Sequence, residues 1–584
     1  MHWTKLQFFK KINPLIQKII LRKWEFLLLT VIFCAGIFLR AYHFSDWLHF
    51  EIDQTYDSNI VSSAIKNGPG NLTLLGPTAG GGRALRLGPA FYYMQYISAE
   101  IFGGDPTGQA MHVLILNILA LPLFYLFCRR YFSIPLSIGL NALFSFSLYS
   151  IMYSRFSWSP NVLPFLILFS FYALLRSVSQ KEKHPARWFL VSVAFVTITS
   201  QIHFNAFFSI PAIAVIFTAI KRPRFNWKIW LSSLIIIFLI YSPVIISDLK
   251  TNAQNLHYFK AKFTKTGGHI SPPLKTVSQD FLYNVYEYFF IVTSNDQING
   301  VRLTNYGFTC NACHENLNIK IIIIFIFLCA LFGLFLSFFK EKNPEKKNFL
   351  LLVLLWFFVT FFLFYSLAGN YRMYPRFFLL ISPMAILFFG FIFQYLRPEK
   401  NSKRLIIFVL IVIFLAIFNL QKIFIVFKQL RNVETTADSN IALGDVFPET
   451  DRITLAEQLR VVSYIEKKYQ ENHYPVYLSS KSEYEPVYWY FLERAGVYYY
   501  DKINGKKLYA QSNYFDIILS GSRPYSNSNF TIKEQKNLGA LTVYYLEPKQ
   551  VNIIAPKPSE SDRKISEETS NISELLKWNE IFKK

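Results

Sequence analysis

The chain has 584 residues and a net charge of +23, and 52% of its residues are hydrophobic while only 17% are charged. Soluble domains carry roughly 25% charged residues, so this composition, with a mean hydropathy of +0.27, excludes an ordinary soluble protein. Most lysines and arginines lie in short segments between apolar blocks, which is typical of membrane orientation and argues against a nucleic-acid partner. We therefore expect a polytopic membrane protein.

The apolar blocks are long enough to cross a bilayer core, which takes about 20 residues. We predict spans at approximately 24–42, 110–128, 132–150, 158–176, 187–202, 204–220, 228–247, 319–340, 348–367, 377–396 and 405–428. Residues 1–23 contain several lysines and arginines and no acid, so the N-terminus is expected in the cytoplasm. The later basic loops then also fall inside. The outer regions are residues 43–109, 154–157, 248–318 and 369–376 and everything after 429.

The segment from Leu87 to Gly103 (LGPAFYYMQYISAEIFG) is apolar but contains three tyrosines, Pro89 and Glu100. If it crossed the bilayer, five basic loops would move outside, against the distribution expected for lysine and arginine. We therefore predict a helix in the outer interface, where tyrosine is favoured. The alternative is an ordinary span in a protein with one more crossing.

Acidic residues follow the first span at once, as Asp46, Glu51, Asp53 and Asp57 in DWLHFEIDQTYD. Carboxylates held at a membrane surface are costly unless they are solvated or used. One use is as a general base for a reaction at the bilayer edge. This cluster is the first candidate for a functional site.

Arginines and a few other polar residues occupy the remaining outer loops. The run GPTAGGGRALRLGP bears Arg83 and Arg86, and GNYRMYPRFFLLISP bears Arg372 and Arg376. Because arginine makes forked contacts with phosphate, these side chains are candidates for holding an anionic lipid, with ordinary headgroup contact as the alternative. Further candidates for the pocket are Tyr56, Arg155, His203 and Asp248.

Cys310 and Cys313 lie in the outer loop as CNACH, which ends in His314. The pattern matches a short haem-attachment motif, and it could also be part of a metal knuckle. A local disulfide in an oxidising compartment is favoured over both, and no metal site is assigned.

From about Arg431 the apolar blocks stop, and helical and strand-like segments alternate, which predicts a small α/β domain over residues 430–554. The helices are expected at 454–470 and 484–496, and the strands at 475–480, 497–501, 515–521 and 541–548. Neither a glycine-rich phosphate loop nor a nucleophile elbow occurs there, so we interpret the domain as a lid or glycan-binding accessory. We expect residues 555–584 to form a disordered tail, with a short terminal helix near Leu575 as the one alternative to disorder.

The ordered series of motifs over residues 24–400 resembles the GT-C superfamily of integral membrane glycosyltransferases, in particular the protein O-mannosyltransferase and aminoarabinose-transferase group. The series runs through FEIDQTY, LGPAFYYMQYISAEIFG, AMHVLILNILALPLFYLFCRRYF, SRFSWSPN, QIHF and RFFLLISP. The chain departs from the family pattern twice. Gln54 stands where Glu commonly follows the first Asp, and Gly88-Pro89 replaces Pro-Pro.

The resemblance implies a GT-C transmembrane domain over residues 24–429, with about eleven transmembrane helices, interfacial helices, and external loops at 43–109 and 248–318. The soluble α/β domain and the tail follow it. The implied donor is a polyprenyl-phosphate sugar taken from the outer leaflet, and the implied acceptor is a hydroxyl of a glycan, lipid or protein. The expected localisation is the cell membrane, with the C-terminal domain on the extracytoplasmic side. The expected process is glycosylation in the cell envelope.

By position in the family pattern, Asp53 is the expected general base, and Arg86 and Arg376 are expected donor-phosphate contacts. Because Gln54 removes one acid, the second carboxylate stays open between Glu51, Asp57 and Asp248. The implied reaction is a single displacement with inversion, by a hexosyl- or pentosyltransferase. No cofactor is expected, since arginines can stabilise the leaving phosphate; the alternative is a divalent ion between Glu51 and Asp53.

Two other functions compete with transfer. A flippase for lipid-linked glycans also needs outer arginines and many spans, but it usually shows internal repeats or polar residues at mid-membrane, and few occur here. A non-catalytic scaffold that presents the C-terminal domain leaves the acidic cluster and the arginines unexplained.

Overall fold

The computed structural model describes residues 14–79, 85–264, 285, 288–294, 301–304, 307–310, 317–368, 375–396, 401–435, 453–500, 503, 507–520, 529–554, 556 and 575–581. In chain order the helices are α1 (Pro14–Ala41), α2 (Ile52–Asn67), α3 (Ala90–Phe102), α4 (Pro106–Cys128), α5 (Ile134–Phe146), α6 (Leu148–Tyr153), α7 (Leu163–Ser177), α8 (Pro185–Ser200), α9 (Phe204–Lys221), α10 (Trp227–Lys250), α11 (Gln254–Thr264), α12 (Leu317–Lys340), α13 (Pro344–Ala368), α14 (Ser382–Phe393), α15 (Ser402–Thr435), α16 (Leu455–Asn472), α17 (Glu485–Arg494) and α18 (Trp578–Ile581).

Eight helices in the described part of the chain are long and apolar enough to cross a membrane, and α5, α8 and α14 are shorter apolar helices. Each of the eleven coincides with a predicted span, which confirms the mainly α-helical polytopic fold. Polar caps fix where several of them begin. The Asp105 carboxylate accepts from the Gly108 amide at 3.1 Å at the start of α4, and the Asn226 side chain accepts from the Ile229 amide at 3.1 Å at the start of α10.

The predicted interfacial segment forms α3, which has only 13 residues. At a rise of about 1.5 Å per residue it is roughly 20 Å long, while the hydrocarbon core is about 30 Å thick. Because α5, which coincides with a predicted span, also has 13 residues, the interfacial position of α3 stays a prediction.

The C-terminal part contains a four-stranded sheet with the order β3 (Val476–Ser479), β4 (Asn513–Leu519), β6 (Leu541–Pro548) and β5 (Phe530–Leu538). β3 pairs parallel with β4, and the other pairs are antiparallel. Residues of α16 and α17 share one apolar core with the sheet. The hairpin of β1 (Val301–Thr304) and β2 (Gly307–Cys310) lies in the outer loop before α12.

Two strand predictions differ from the structure. The segment 497–501 makes only an isolated bridge, between Tyr499 and Val476. β5 was not predicted, because it is an edge strand in which most side chains are polar and exposed, so it lacks the apolar alternation that marks a half-buried strand.

The C-terminal domain is joined to the first outer loop by backbone hydrogen bonds. The amide of Leu455 donates to the carbonyl of Leu48 at 2.9 Å, and the amide of Ile52 donates to the carbonyl of Glu483 at 2.9 Å. The Gln458 side chain donates to the carbonyl of Phe50 at 2.8 Å. The sheet domain and the first loop therefore lie on the same side of the helical bundle.

The end of the chain also packs on this loop. The amide of Leu74 donates to the carbonyl of Leu576 at 2.9 Å, and the amide of Trp578 donates to the carbonyl of Leu72 at 3.2 Å. The predicted disorder of the tail therefore does not extend to residues 575–581, where α18 forms near the predicted position.

Arg155 holds the outer end of α1. Its side chain is only 2% exposed, and its guanidinium lies over the ring of Phe427 at 5.3 Å. It donates to the carbonyls of Leu39 (3.2 Å), Arg40 (2.9 Å), Tyr42 (2.7 Å) and His43 (3.2 Å). The last carbonyls of a helix lack partners within the helix. The structure thus places Arg155 as an anchor of α1 and not in the predicted substrate pocket.

Replacing Arg155 with methionine should lower the free energy of unfolding by about 2–4 kcal/mol, because buried carbonyls lose charged donors. The measurement is the thermal unfolding midpoint of the purified protein in detergent. Lys66→Met, at an exposed position on α2, is the control and should change little. An Arg155→Met midpoint equal to that of the control would show that the anchor contributes nothing.

Candidate active site

A cavity of about 630 Å³ lies where the predicted outer loops meet. Its volume is within the range of roughly 300–1,000 Å³ found for small-molecule sites. The walls come from one face of α2, from residues 75–78 and 86 of the first loop, from α3, from residues 158–159, from the α10–α11 junction and from residues 575–576. Segments that are far apart in sequence thus share one chamber.

The face of α2 toward the cavity carries Asp53, Tyr56 and Asp57. These positions are three and four residues apart, so they lie on one side of the helix. The helix begins at Ile52, because the Glu51 amide donates to the Gln54 side chain at 3.1 Å. Asp53 therefore sits in the first turn, where a negative charge is favoured by the helix dipole.

The Asp53 carboxylate is open to the cavity but surrounded by protein. The indole N–H of Trp158 donates a hydrogen bond to it. The guanidinium of Arg376 lies over the Trp158 ring, 4.7 Å from its centroid. Removal from water and the charge of Glu51 raise the pKa of Asp53, and Arg376 and the indole oppose the rise. The result is a carboxylate that is more basic than a free one and oriented by a fixed donor.

Asp57 lies deeper, at 6% exposure. Burial and the neighbouring Asp53 raise its pKa well above the usual value, against a hydrogen bond from Tyr92 and the charge of Arg86. Two carboxylates this close do not readily ionise together, so the buried one of the pair favours its protonated form. The structure thus brings both Glu51 and Asp57 near Asp53, and of these two acids Asp57 lines the cavity.

The other two candidates for the second acid lie outside the cavity lining. Glu51 is buried beside His49, with 3.4 Å between its Oε1 and the imidazole Nε2. The Asp248 carboxylate accepts from the amides of Asn255 at 3.0 Å and Leu256 at 3.3 Å, which caps the start of α11.

Arg86 lines the cavity and is fixed through its backbone. Its amide donates to Asn255 Oδ1 at 2.9 Å, and Asn255 Nδ2 donates back to its carbonyl at 3.1 Å. Its guanidinium reaches the carbonyl of Gly76 at 3.4 Å. Arg86 thus joins the first loop to α11, and with Arg376 it supplies positive charge near the two aspartates.

Four predicted residues fall outside what can be described. Arg83, Arg372 and Cys313 lie beyond the described residues, and only the backbone of Cys310 is described. The disulfide and the two further phosphate contacts therefore stay predictions. Within the described ranges, no group of three or more His, Cys, Asp and Glu side chains is placed to hold a metal ion.

His203 caps α9, since its Nδ1 accepts from the Asn205 amide at 3.2 Å. Burial and the nearby Arg376 lower the pKa of His203 to about 3. The ring is therefore neutral at pH 7 and packs on Phe377, with 5.4 Å between ring centroids. This placement supports a structural role over a catalytic one.

Several cavity residues were not singled out in the sequence. Trp158 lies in the motif SRFSWSPN, and Tyr92 lies in the motif LGPAFYYMQY. Their position in motifs at predicted outer loops could have identified both as cavity residues. Asn255 and Leu576 carried no such signal, because only the folded chain brings them to the first loop. The Tyr56 hydroxyl is buried and has no hydrogen-bond partner among the described residues, so a bound ligand could supply one.

Asp57→Asn should remove a pH dependence of stability. Because the pKa of Asp57 is higher in the folded chain than in the unfolded chain, its protonated form stabilises the fold. That stabilisation is complete below the unfolded-state pKa near 3.8 and is lost as pH rises through the folded-state pKa. Above the folded-state pKa, each unit by which folding raises the pKa of Asp57 lowers the free energy of unfolding by about 1.4 kcal/mol. Thermal midpoints from pH 4 to 9 should fall less steeply with pH in Asp57→Asn than in the wild type. Parallel curves would contradict the raised pKa.

A family model of dolichyl-phosphate-mannose-protein mannosyltransferases matches residues 87–246, which include α3, Trp158 and His203. A comparison with curated proteins gives no significant match.

Solved structures show the fold. The apo crystal structure of ArnT from Cupriavidus metallidurans aligns with a TM-score of 0.50 at 10% identity, over 90% of this chain and 98% of that one. The same protein bound to undecaprenyl phosphate gives 0.49 at 12% identity over the same shares. The apo oligosaccharyltransferase of Archaeoglobus fulgidus gives 0.45 at 13% identity, over 82% of this chain and 64% of that one. The chain is thus similar to protein mannosyltransferases in sequence over residues 87–246 and to ArnT in fold.

Proposed function

We propose that the chain is a membrane glycosyltransferase that moves a sugar from a polyprenyl-phosphate donor to an acceptor hydroxyl on the extracytoplasmic face. The observation that carries the proposal is the cavity in which Asp53 and Asp57 lie near Arg86 and Arg376. A carboxylate of raised pKa suits proton removal, and nearby guanidinium groups suit a phosphate leaving group.

The donor would place its phosphate near Arg86 and Arg376 and its lipid chain in the membrane. An apolar groove of about 950 Å³ runs between α8, α9 and α10, lined by residues such as Val196, Phe207 and Ile237. Tyr241 of α10 lines this groove, and Ser247, six residues further along the same helix, lines the cavity. Six helical residues span about 9 Å. One lipid could therefore occupy the groove and the cavity at once.

The chemistry is a single displacement. Asp53 takes the proton of the acceptor hydroxyl as its oxygen attacks the anomeric carbon. The bond from that carbon to the phosphate oxygen breaks, and its electron pair leaves with the polyprenyl phosphate, whose charge Arg86 and Arg376 stabilise. Attack opposite the leaving group inverts the anomeric centre. Asp57, which favours its protonated form, leaves the negative charge of the pair on Asp53.

The proposed orientation puts the N-terminus in the cytoplasm and the C-terminal domain outside. The cavity is built from loops that the charge distribution places on the outer side, and the sheet domain is joined to the first of them. The predicted inner loops pair with each other at a different place. Arg130 contacts Glu345 at 3.0 Å, and the amide of Gln180 donates to the Glu345 carboxylate at 2.7 Å.

Asp53→Asn should lower transfer by about 10²–10⁴-fold while donor binding is kept, because the amide cannot accept the proton. The measurement is sugar transfer by the purified protein from a panel of polyprenyl-phosphate sugars to hydroxyl acceptors. Asp46→Asn is the matched control, since Asp46 is an exposed acid of the same loop that pairs with His43.

Equal transfer by Asp53→Asn and the control would exclude Asp53 as the base and favour Asp57. A wild type that transfers nothing from any donor, yet moves lipid-linked sugar across vesicles, would favour the flippase.

Arg86→Gln and Arg376→Gln should each weaken binding of a polyprenyl phosphate by roughly 10–100-fold, because a hydrogen bond to a charged group contributes about 1.5–3 kcal/mol. Because Trp158 lies against Arg376, tryptophan fluorescence is a suitable readout. Arg187→Gln, at an exposed position outside the cavity, is the control. Binding that is unchanged in both the Arg86 and the Arg376 variant would show that the phosphate lies elsewhere.

A further inference from the structure

The last described segment of the chain, residues 575–581, forms part of the cavity wall. Leu575 and Leu576 line the same chamber as Asp53, Asp57 and Arg86. Leu575 is only 8% exposed and belongs to the main apolar core. The end of the chain is therefore built into the candidate site.

Specific contacts hold this segment in place. Lys577 pairs antiparallel with Thr73 of the first loop. The indole N–H of Trp578 donates to the Tyr93 hydroxyl at 2.7 Å, and that hydroxyl donates to the Thr73 carbonyl at 3.2 Å. Asn579 donates to the Asn71 side chain at 3.3 Å. The segment is thus joined by an isolated bridge and several hydrogen bonds to a loop that carries cavity residues further along.

The segment contributes shape but no charge to the cavity. The titratable groups of the lining lie on α2, α3, α11 and the first loop, whereas the segment contributes two leucines. A change in these leucines would therefore alter the size of the chamber and leave the carboxylates and the arginine in place.

The position of the segment decides which substrate it meets. It pairs with residues 72–74 outside the membrane-spanning helices, while the donor reaches the cavity along α10 from the bilayer. We propose that residues 575–581 are the acceptor-side wall of the cavity and that Leu575 and Leu576 set the size of the acceptor. This inference rests on the proposed transferase function.

The first test measures the wall without any need for activity. Thr251, which lines the cavity, is changed to cysteine in a full-length chain whose native cysteines are replaced. Its rate of reaction is then measured with a small and a bulky water-soluble thiol reagent. Truncation after Glu574 and the substitution Leu576→Ala should each raise the reaction rate with the bulky reagent on the order of tenfold. Neither change should alter the reaction rate with the small reagent. Leu576→Trp should slow the bulky reagent.

The matched control is Leu459→Ala, which makes the same change on the 42% exposed Leu459 of α16 and should alter neither rate. If the truncated chain does not fold, Leu576→Ala and Leu576→Trp still test whether the segment restricts access to the cavity. Bulky-reagent rates that are unchanged in folded Leu576→Ala and Leu576→Trp would overturn the proposal.

The second test compares transfer to a small and a bulky hydroxyl acceptor. Leu576→Ala should raise the ratio of bulky to small transfer by about tenfold, with donor binding unchanged. An unchanged ratio in an active enzyme would overturn the assignment to the acceptor. Faster bulky labelling in a protein that transfers nothing would support the wall and overturn the transferase function instead.

Discussion

The repulsion between Asp53 and Asp57 is the constraint on which the candidate site depends. Two carboxylates one helical turn apart, of which Asp57 is buried, are costly unless counter-charges and donors are brought to them. Arg86 and Tyr92 act on Asp57, and Arg376 and Trp158 act on Asp53. These four groups come from the first loop, α3, the turn before α7 and the turn before α14. The convergence of the outer loops thus satisfies one electrostatic requirement.

The C-terminal domain contributes to this arrangement by fixing the start of α2. Glu483 accepts the amide of Ile52, and Gln458 donates to the carbonyl of Phe50. These bonds lie directly before Asp53 in the sequence. On the proposed function Asp53 must be placed to within a fraction of an ångström, and a domain that holds the first turn of its helix supports that placement. This contact gives the predicted accessory domain a physical role.

Local signals explain what could be predicted from the sequence. The spans are continuous apolar runs, and Asp53 and Arg86 stand at motif positions, whereas Asp57 was one of three open choices for the second acid. Arg155 and Asp248 looked equally functional as charged residues at outer loops, but one binds the carbonyls of α1 and the other caps α11. The wall at Leu576 depends on a contact between residues 575–579 and residues 71–74, which are far apart in the sequence, so composition and periodicity carry no signal for it.

Arg376 has opposite effects on its two titratable neighbours. It opposes the rise in the pKa of Asp53, and it helps to keep His203 neutral. On the proposed function, a donor phosphate bound at Arg376 would add negative charge beside Asp53 and offset the guanidinium. The pKa of Asp53 would then rise further. The base would thus be strongest when the donor is in place, which couples proton removal to the presence of a sugar that can react.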